Sequence, residues 1–282
     1  MNFERSIGNS VRGMATSDGA GVKLTRVIGS PLLRRLDPFL MLDEFRSDEP
    51  QDYLAGFPDH PHRGFETVTY MIAGKFRHRD NKGHEGLLAA GGAQWMTAGR
   101  GIVHSEMPEQ EEGLVHGFQL WLNLPKKDKM CDATYRDVQA AEIPHVELGQ
   151  GVVVRALAGT VNGVTGPISG RETAPIYFDV EIPAGATAEI PIPAGHEGFV
   201  YPFAGDVVVA NERALVRGEL GVLADGKDTG GVCIRAKPGA AARVLVVAGK
   251  PLREPVVQYG PFVMTTPEEV EQAVRDFQAG RF

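Results

Sequence analysis

The chain has 282 residues, 43% of them apolar, and a formal net charge of −7. That length suits two domains of common size, and the apolar fraction supplies a core for each. The acidic balance and the lack of any long basic run argue against direct nucleic-acid binding, and no stretch approaches the roughly eighteen apolar residues that a membrane span requires.

The opening MNFERSIGNSVRGMATSDGAG carries no apolar segment of the kind a secretory signal needs, so a cytoplasmic location is expected. Thirty-five Gly and nineteen Pro predict many turns between short strands, hence a mainly β protein. β-branched and aromatic residues recur over Val22–Ile28, Phe39–Phe45, Glu66–Ile72, Gly86–Ala98, Val115–Leu124 and Val152–Leu157, with Gly, Pro, Asn or Asp at the breaks. The stretch TVNGVTGPISGRE then runs poor in large apolar side chains. A domain junction is placed there, giving 1–160 as an N-terminal metal-binding domain and 161–282 as a C-terminal domain without a complete metal site. A second strand series follows at Ile176–Ile182, Thr187–Ile192, Phe199–Phe203, Val207–Ala210, Gly221–Ala224, Val232–Ala236 and Arg243–Val247. Only the tail reads as helix. Thr266 is a suitable N-cap, Pro267 suits the first helical position, and Glu269 completes a capping box ahead of Val270, Ala273, Val274 and Phe277. Cys131 and Cys233 fall one in each half, which gives neither a disulfide framework nor a thiolate zinc pattern; they read as buried free thiols.

Two short phrases carry the chemistry, His60-Pro61-His62 and His104-Ser105-Glu106. In an extended strand residues two apart share a face, so each phrase projects two donors in one direction. Two such strands side by side would surround one cation. Three imidazoles and a carboxylate suit a first-row transition ion and suit calcium or magnesium poorly. A His-x-His alone is often a solvated strand edge; the pairing of the two phrases is what argues for metal. An internal likeness links the halves, because His62-Arg63-Gly64-Phe65 leading to Gly74 resembles His196-Glu197-Gly198-Phe199 leading to Gly205. His60 then aligns with Ala194, and no histidine follows His196. The second half is therefore expected to hold no metal, with His196 a structural or solvated residue.

The runs GFPDHPHRGFETVTYMIAG (Gly56–Gly74), QWMTAGRGIVHSEMP (Gln94–Pro108) and HGFQLWLNLP (His116–Pro125), with LDPFLMLDEF (Leu36–Phe45) upstream, closely resemble the pirin family of the cupin superfamily. The likeness continues more loosely to QYGPFVMTTPEEVEQA (Gln258–Ala273). It implies a bicupin of two antiparallel jelly-roll β-barrels with one mononuclear metal, iron(II) in the usual case, with zinc, manganese, nickel, cobalt and copper as alternatives. Carried over by position, the ligands would be His60, His62, His104 and Glu106. Glu66 stands where many cupins place a carboxylate ligand, but the pirin pattern gives that role to Glu106, so Glu66 ranks second. Thr97 replaces a proline common in the wider superfamily, as in the pirin form. His116 either reaches the pocket or is a hydrogen-bonded core residue. Gln94, Trp95, Met96, Gln119 and Trp121 are candidate pocket walls, with plain barrel packing as the alternative for each.

A three-His, one-Glu shell on an octahedral ion leaves two positions for water, a bidentate enol or catechol-like substrate, or dioxygen. The remaining positive character would lower the pKa of a bound hydroxyl, and Glu106, loosened from the ion, would be the candidate catalytic base. Two functions follow from the resemblance. One is an oxidoreductase that opens flavonols such as quercetin with dioxygen. The other is a metal- or redox-responsive regulator that docks a protein partner, either a transcriptional or a metabolic one.

Overall fold

A computed structural model of the chain describes residues 3–210, 213–224 and 230–282. The fold is mainly β with antiparallel sheets, and one α-helix spans Pro267–Gln278. The chain divides into two compact units. One comprises Met14–Arg35, Phe39–Ala140 and Leu252–Phe282; the other comprises Met1–Gly13, Leu36–Pro38 and Ala141–Pro251.

The first unit holds a seven-stranded sheet in the order Thr134–Val138, Ala93–Thr97, Phe65–Ala73, Val115–Asn123, Phe39–Ser47, Val22–Ile28, Met14–Asp18. A four-stranded sheet runs Phe57–His62, Ile102–Pro108, Lys75–Asp80, Glu85–Ala89. The expected strand Gly86–Ala98 is two strands. The chain turns at Gly91 (φ +80°), where its N–H donates to the Met71 carbonyl while Gly92 accepts from the Met71 N–H. Phe57–His62 is the outer strand of its sheet, the one place that tolerates Pro58 and Pro61, since proline cannot donate to a ladder.

The second unit repeats the architecture. Its seven-stranded sheet runs Ile7–Arg12, Glu219–Leu223, Glu197–Ala204, Ala242–Gly249, Ile176–Ile182, Val153–Ala158, His145–Glu147. Its four-stranded sheet runs Thr187–Pro191, Gly231–Ala236, Val207–Val209, Arg213–Leu215. The two ends of the chain do not stay with their neighbours in sequence. Ile7–Arg12 pairs with Glu219–Leu223, so the opening strand completes the second unit's sheet. The helix Pro267–Gln278, read from sequence as the end of the second domain, belongs to the first unit, where it packs on the hairpin Val257–Tyr259/Phe262–Met264. Its capping box is formed as expected. Glu269 N–H donates to Thr266 Oγ1 at 3.2 Å, and Glu269 Oε2 accepts from the Thr266 N–H at 3.1 Å.

The interiors differ in chemistry. The second barrel is filled by one large apolar cluster that includes Ala188, Ile190, Ile192, Val200, Val232, Ile234, Ala236 and Val246. Apolar clusters of the first unit include one around Phe45, Tyr53, Met71, Phe76 and Val115 and another around Leu40, Phe65 and Val263. The same unit also buries the polar side chains of His62, Thr69, His78, His104 and Glu106.

Candidate metal centre

The two candidate phrases lie on adjacent antiparallel strands, with His104 directly opposite His60 and Ile102 opposite His62. Between the pairs His104/His60 and Glu106/Phe57 the register shifts, so the outer strand bulges at 58–59. The Pro58 carbonyl there accepts from His60 Nδ1 at 2.8 Å. A carbonyl only accepts, so this bond puts the proton on Nδ1 and leaves the Nε2 lone pair of His60 free.

His60, His62 and His104 converge. Their ring centroids are 4.3–4.9 Å apart, and each offers a nitrogen within 4.8 Å of the others. His62 and His104 are buried, and burial holds both imidazoles well below their ordinary pKa, with the neighbouring imidazoles adding to the effect. They are therefore neutral, as metal ligands must be. Among the described residues Nε2 of His104 has no hydrogen-bond partner, and His62 makes no well-formed hydrogen bond from either nitrogen, its nearest backbone acceptor being Pro261. A buried polar atom left unpaired costs about 1–3 kcal/mol, and a cation bound by one nitrogen from each ring would relieve that cost at His62 and His104. These three histidines can hold a metal ion.

Glu106 is also buried, on the same strand face as His104, but lies outside the three-histidine group. Its Oε1 accepts from Thr69 Oγ1 at 2.7 Å and its Oε2 from Gln119 Nε2 at 3.0 Å. Glu66 sits on the same strand as Thr69, three residues earlier, and so on the opposite face. It accepts from Thr97 Oγ1 at 2.7 Å. The alternation of one strand separates the two carboxylates that the sequence left ranked but unresolved. His116 pairs with Glu44 at 2.9 Å in the core and does not line the cavity.

A residue absent from the sequence reading supports the group from behind. His78, buried on Lys75–Asp80, faces Glu106 across the ladder, and its Nδ1 lies 3.3 Å from His104 Nδ1. One nitrogen must donate to the other. If His104 presents its Nε2 lone pair to a cation, its Nδ1 carries the proton and His78 accepts it. Tyr135 packs against His78 with the rings tilted by 58° and their centroids 4.7 Å apart.

In front of the histidines opens a cavity of about 1030 Å³. His60, His62 and Glu106 form part of its lining, with Gln119, Trp121, Phe57 and Phe45. Of the five candidate walls only Gln119 and Trp121 contribute. Gln94 donates to Asp137 at 2.8 Å, Trp95 is buried elsewhere, and Met96 packs with Ala98 and Ile102. Arg34, Arg35 and Arg26 also line the cavity, the last held by both oxygens of Asp43 at 2.7–2.9 Å. Gln258, Gly260 and Pro261 complete one side.

Among the described residues the second unit offers no such set at the matching place. The pair Thr187–Pro191/Gly231–Ala236 occupies the position of the ligand-bearing pair, and its inward residues Ala188, Ile190, Val232, Ile234 and Ala236 are apolar and fully buried. His196 lies in the turn before Glu197–Ala204, where its Nε2 donates to the Ala174 carbonyl at 3.0 Å. The likeness between His62-Arg63-Gly64-Phe65 and His196-Glu197-Gly198-Phe199 is thus out of phase. Phe65 lies in an apolar cluster beside His62, whereas Phe199 is buried outside the second barrel's cluster and its neighbour Val200 is inside.

Residues 21–122 match the family model Pirin, and residues 177–282 match the Pirin C-terminal cupin domain. A Pseudomonas aeruginosa protein provisionally named a quercetin 2,3-dioxygenase is 51% identical over 95% of this chain and 94% of its own length. Human Pirin is 42% identical over 99% of this chain and 94% of its own. Among solved structures, a quercetin 2,3-dioxygenase from Acinetobacter baumannii superposes with a TM-score of 0.89 at 31% identity, covering 99% of this chain and 98% of the other.

Proposed function

This chain is a member of the pirin family with the bicupin fold, and we propose that it is a mononuclear iron(II) oxidoreductase that opens flavonols such as quercetin with dioxygen. The observation that carries the reading is the convergence of three histidines, two of them buried and neutral, beside an aromatic-walled cavity that His60 and His62 help to line. His60, His62, His104 and Glu106 would hold the ion. When bound, such an ion supplies Lewis acidity that favours the anionic form of a coordinated hydroxyl and open positions at which substrate and oxygen can meet.

The chain's own residues do the remaining work. Trp121 and Phe57 present flat apolar faces to an aromatic substrate, and a cavity near 1000 Å³ is at the upper end of what drug-sized ligands occupy. Burial of His62 and His104 keeps water from their ring nitrogens. Thr69 and Gln119 fix the carboxylate of Glu106 by one donor on each oxygen, which limits how far it swings. A hydroxyl brought beside Glu106 has a base within the same cavity, and Gln119 can then take over as donor to the anion as the proton moves to Glu106.

Reconstitution with iron(II) without air, then addition of quercetin and oxygen while following the flavonol absorbance, tests the reading. Loss of the flavonol band that requires both metal and oxygen is expected. A band unchanged in metal-loaded protein would leave the metal- or redox-responsive docking function, and affinity for a protein partner would then be the property to measure in the two oxidation states.

A further inference from the structure

The arm of residues 252–282 reaches the ligand-bearing strands at one shared end. The His62–Gly64 turn leaves the first of them, and the Gly99–Gly101 turn enters the second, which carries His104 and Glu106. Arg63 joins the two turns to the arm. Its Nε donates to the Arg100 carbonyl, its Nη1 donates to Asp276 Oδ2 at 2.7 Å, and its guanidinium lies 4.4 Å above the ring of Phe282. Its backbone N–H donates to the Pro261 carbonyl at 3.3 Å and its carbonyl accepts from Val263 N–H at 3.0 Å. The side chain is almost fully buried.

Gly64 and Gly101 show how closely the arm fits. A Cβ at Gly64 (φ +87°) would stand 2.0 Å from the Val263 carbonyl oxygen, and one at Gly101 would stand 2.7 Å from the Phe282 ring. Gly64 N–H donates to the Gly99 carbonyl at 2.8 Å, which ties the turns to each other. Phe282 in turn packs on Phe262 and Phe277.

We propose that Arg63, Asp276 and Phe282 form a strap that sets the spacing of His62 and His104, so that these three positioning residues tune how a divalent cation is held without touching it. The inference rests on the reading of His62 and His104 as ligands. Coordination tolerates errors of only about half an ångström, and His62 lies one residue from the clamped guanidinium while Ile102, its ladder partner, follows Gly101 directly. Loosening the strap should therefore alter both affinity and coordination geometry before it unfolds the barrel.

Cobalt(II) is the probe, titrated into metal-free protein against a chelator while the visible ligand-field bands are recorded. Asp276→Asn and Phe282→Ala should each weaken cobalt binding about tenfold and shift the bands, as removal of supporting contacts around metal ligands does. Asp276→Glu, which keeps the charge, should recover part of the affinity. Unchanged bands and affinity in both variants, with His62→Ala abolishing binding, would overturn the strap and leave the site intact. Cobalt binding by His62→Ala equal to that of the unaltered protein would remove the site and the strap together. Melting of the metal-free variants separates the cases further: a lowered melting temperature with unchanged cobalt bands counts against the strap.

Discussion

The two barrels share a strand order, seven strands over four, and put opposite chemistry at equivalent places. In one, the pair of strands at the edge of the four-stranded sheet carries His60, His62, His104 and Glu106; in the other the same pair carries Ala188, Ile190, Val232, Ile234 and Ala236. The architecture needs no metal site to close, because the apolar version packs into a single continuous cluster. The polar version leaves orphaned nitrogens and a large cavity, and so gives up packing that its counterpart keeps. The candidate site is a local exchange of a few inward side chains on a frame that either set can complete.

That contrast can be broken most directly by metal content. His62→Ala and His104→Ala should lose the ion by a factor of 100 or more, while His196→Ala should leave it unchanged; plasma mass spectrometry of protein reconstituted with one equivalent of iron(II) reads the difference. Equal loss in all three would mean that the two barrels do not differ in the way described. The apolar barrel is tested next by stability. Ile234→Ala should cost about 2–5 kcal/mol in urea unfolding, because it opens a hole in a close-packed interior. In the metal-free protein His104→Leu should cost less than that, since it replaces a buried imidazole whose Nε2 is unpaired. A larger cost at His104 would reverse the assignment of packing to one barrel and function to the other.

Glu106→Gln gives a smaller effect. The amide keeps one acceptor for Thr69 but loses the charge, and metal affinity should fall about tenfold, measured by chelator competition. Smallest is a pH effect at Lys129, another buried polar group of the unit that carries the three histidines. Its Nζ donates to the Gly64 carbonyl, Asn123 Oδ1 and the Val263 carbonyl at 2.7–2.9 Å, and burial lowers its pKa to about 8. Between about pH 8 and the ordinary lysine value near 10.5 the unfolded chain holds more protons than the folded one. Stability from this group therefore rises with pH across that window, by at most about 1.4 kcal/mol per unit. Urea midpoints at pH 8, 9 and 10 should show a rise in the unaltered protein that is missing in Lys129→Met.

What the sequence disclosed follows from the range of the interactions involved. The donor pairs of His60-Pro61-His62 and His104-Ser105-Glu106 are visible because strand alternation is a two-residue rule. The capping box at Thr266 and Glu269 is as local. His78 was hidden inside Lys75–Asp80, a strand whose charged residues make a lone histidine look solvated; its contact with His104 depends on the register between strands more than twenty residues apart. The grip of Thr69 and Gln119 on Glu106 is likewise a cross-strand fact. The separation of Glu66 from that face was available from alternation along Phe65–Ala73, once Thr69 was known to point inward. The exchange of the opening strand and the closing helix between units left no trace in composition, because a strand or a helix carries no address for the sheet it completes.

The bulged outer strand that carries His60 and His62 has a further consequence for behaviour in a crowded solution. Two of its six residues are prolines and lack an amide hydrogen, so a foreign chain seeking to add itself in register finds missing rungs and a kink at 58–59. This edge is thereby a poor template for aggregation, and replacing Pro58 and Pro61 with valine would be the way to make it one on which chains stack.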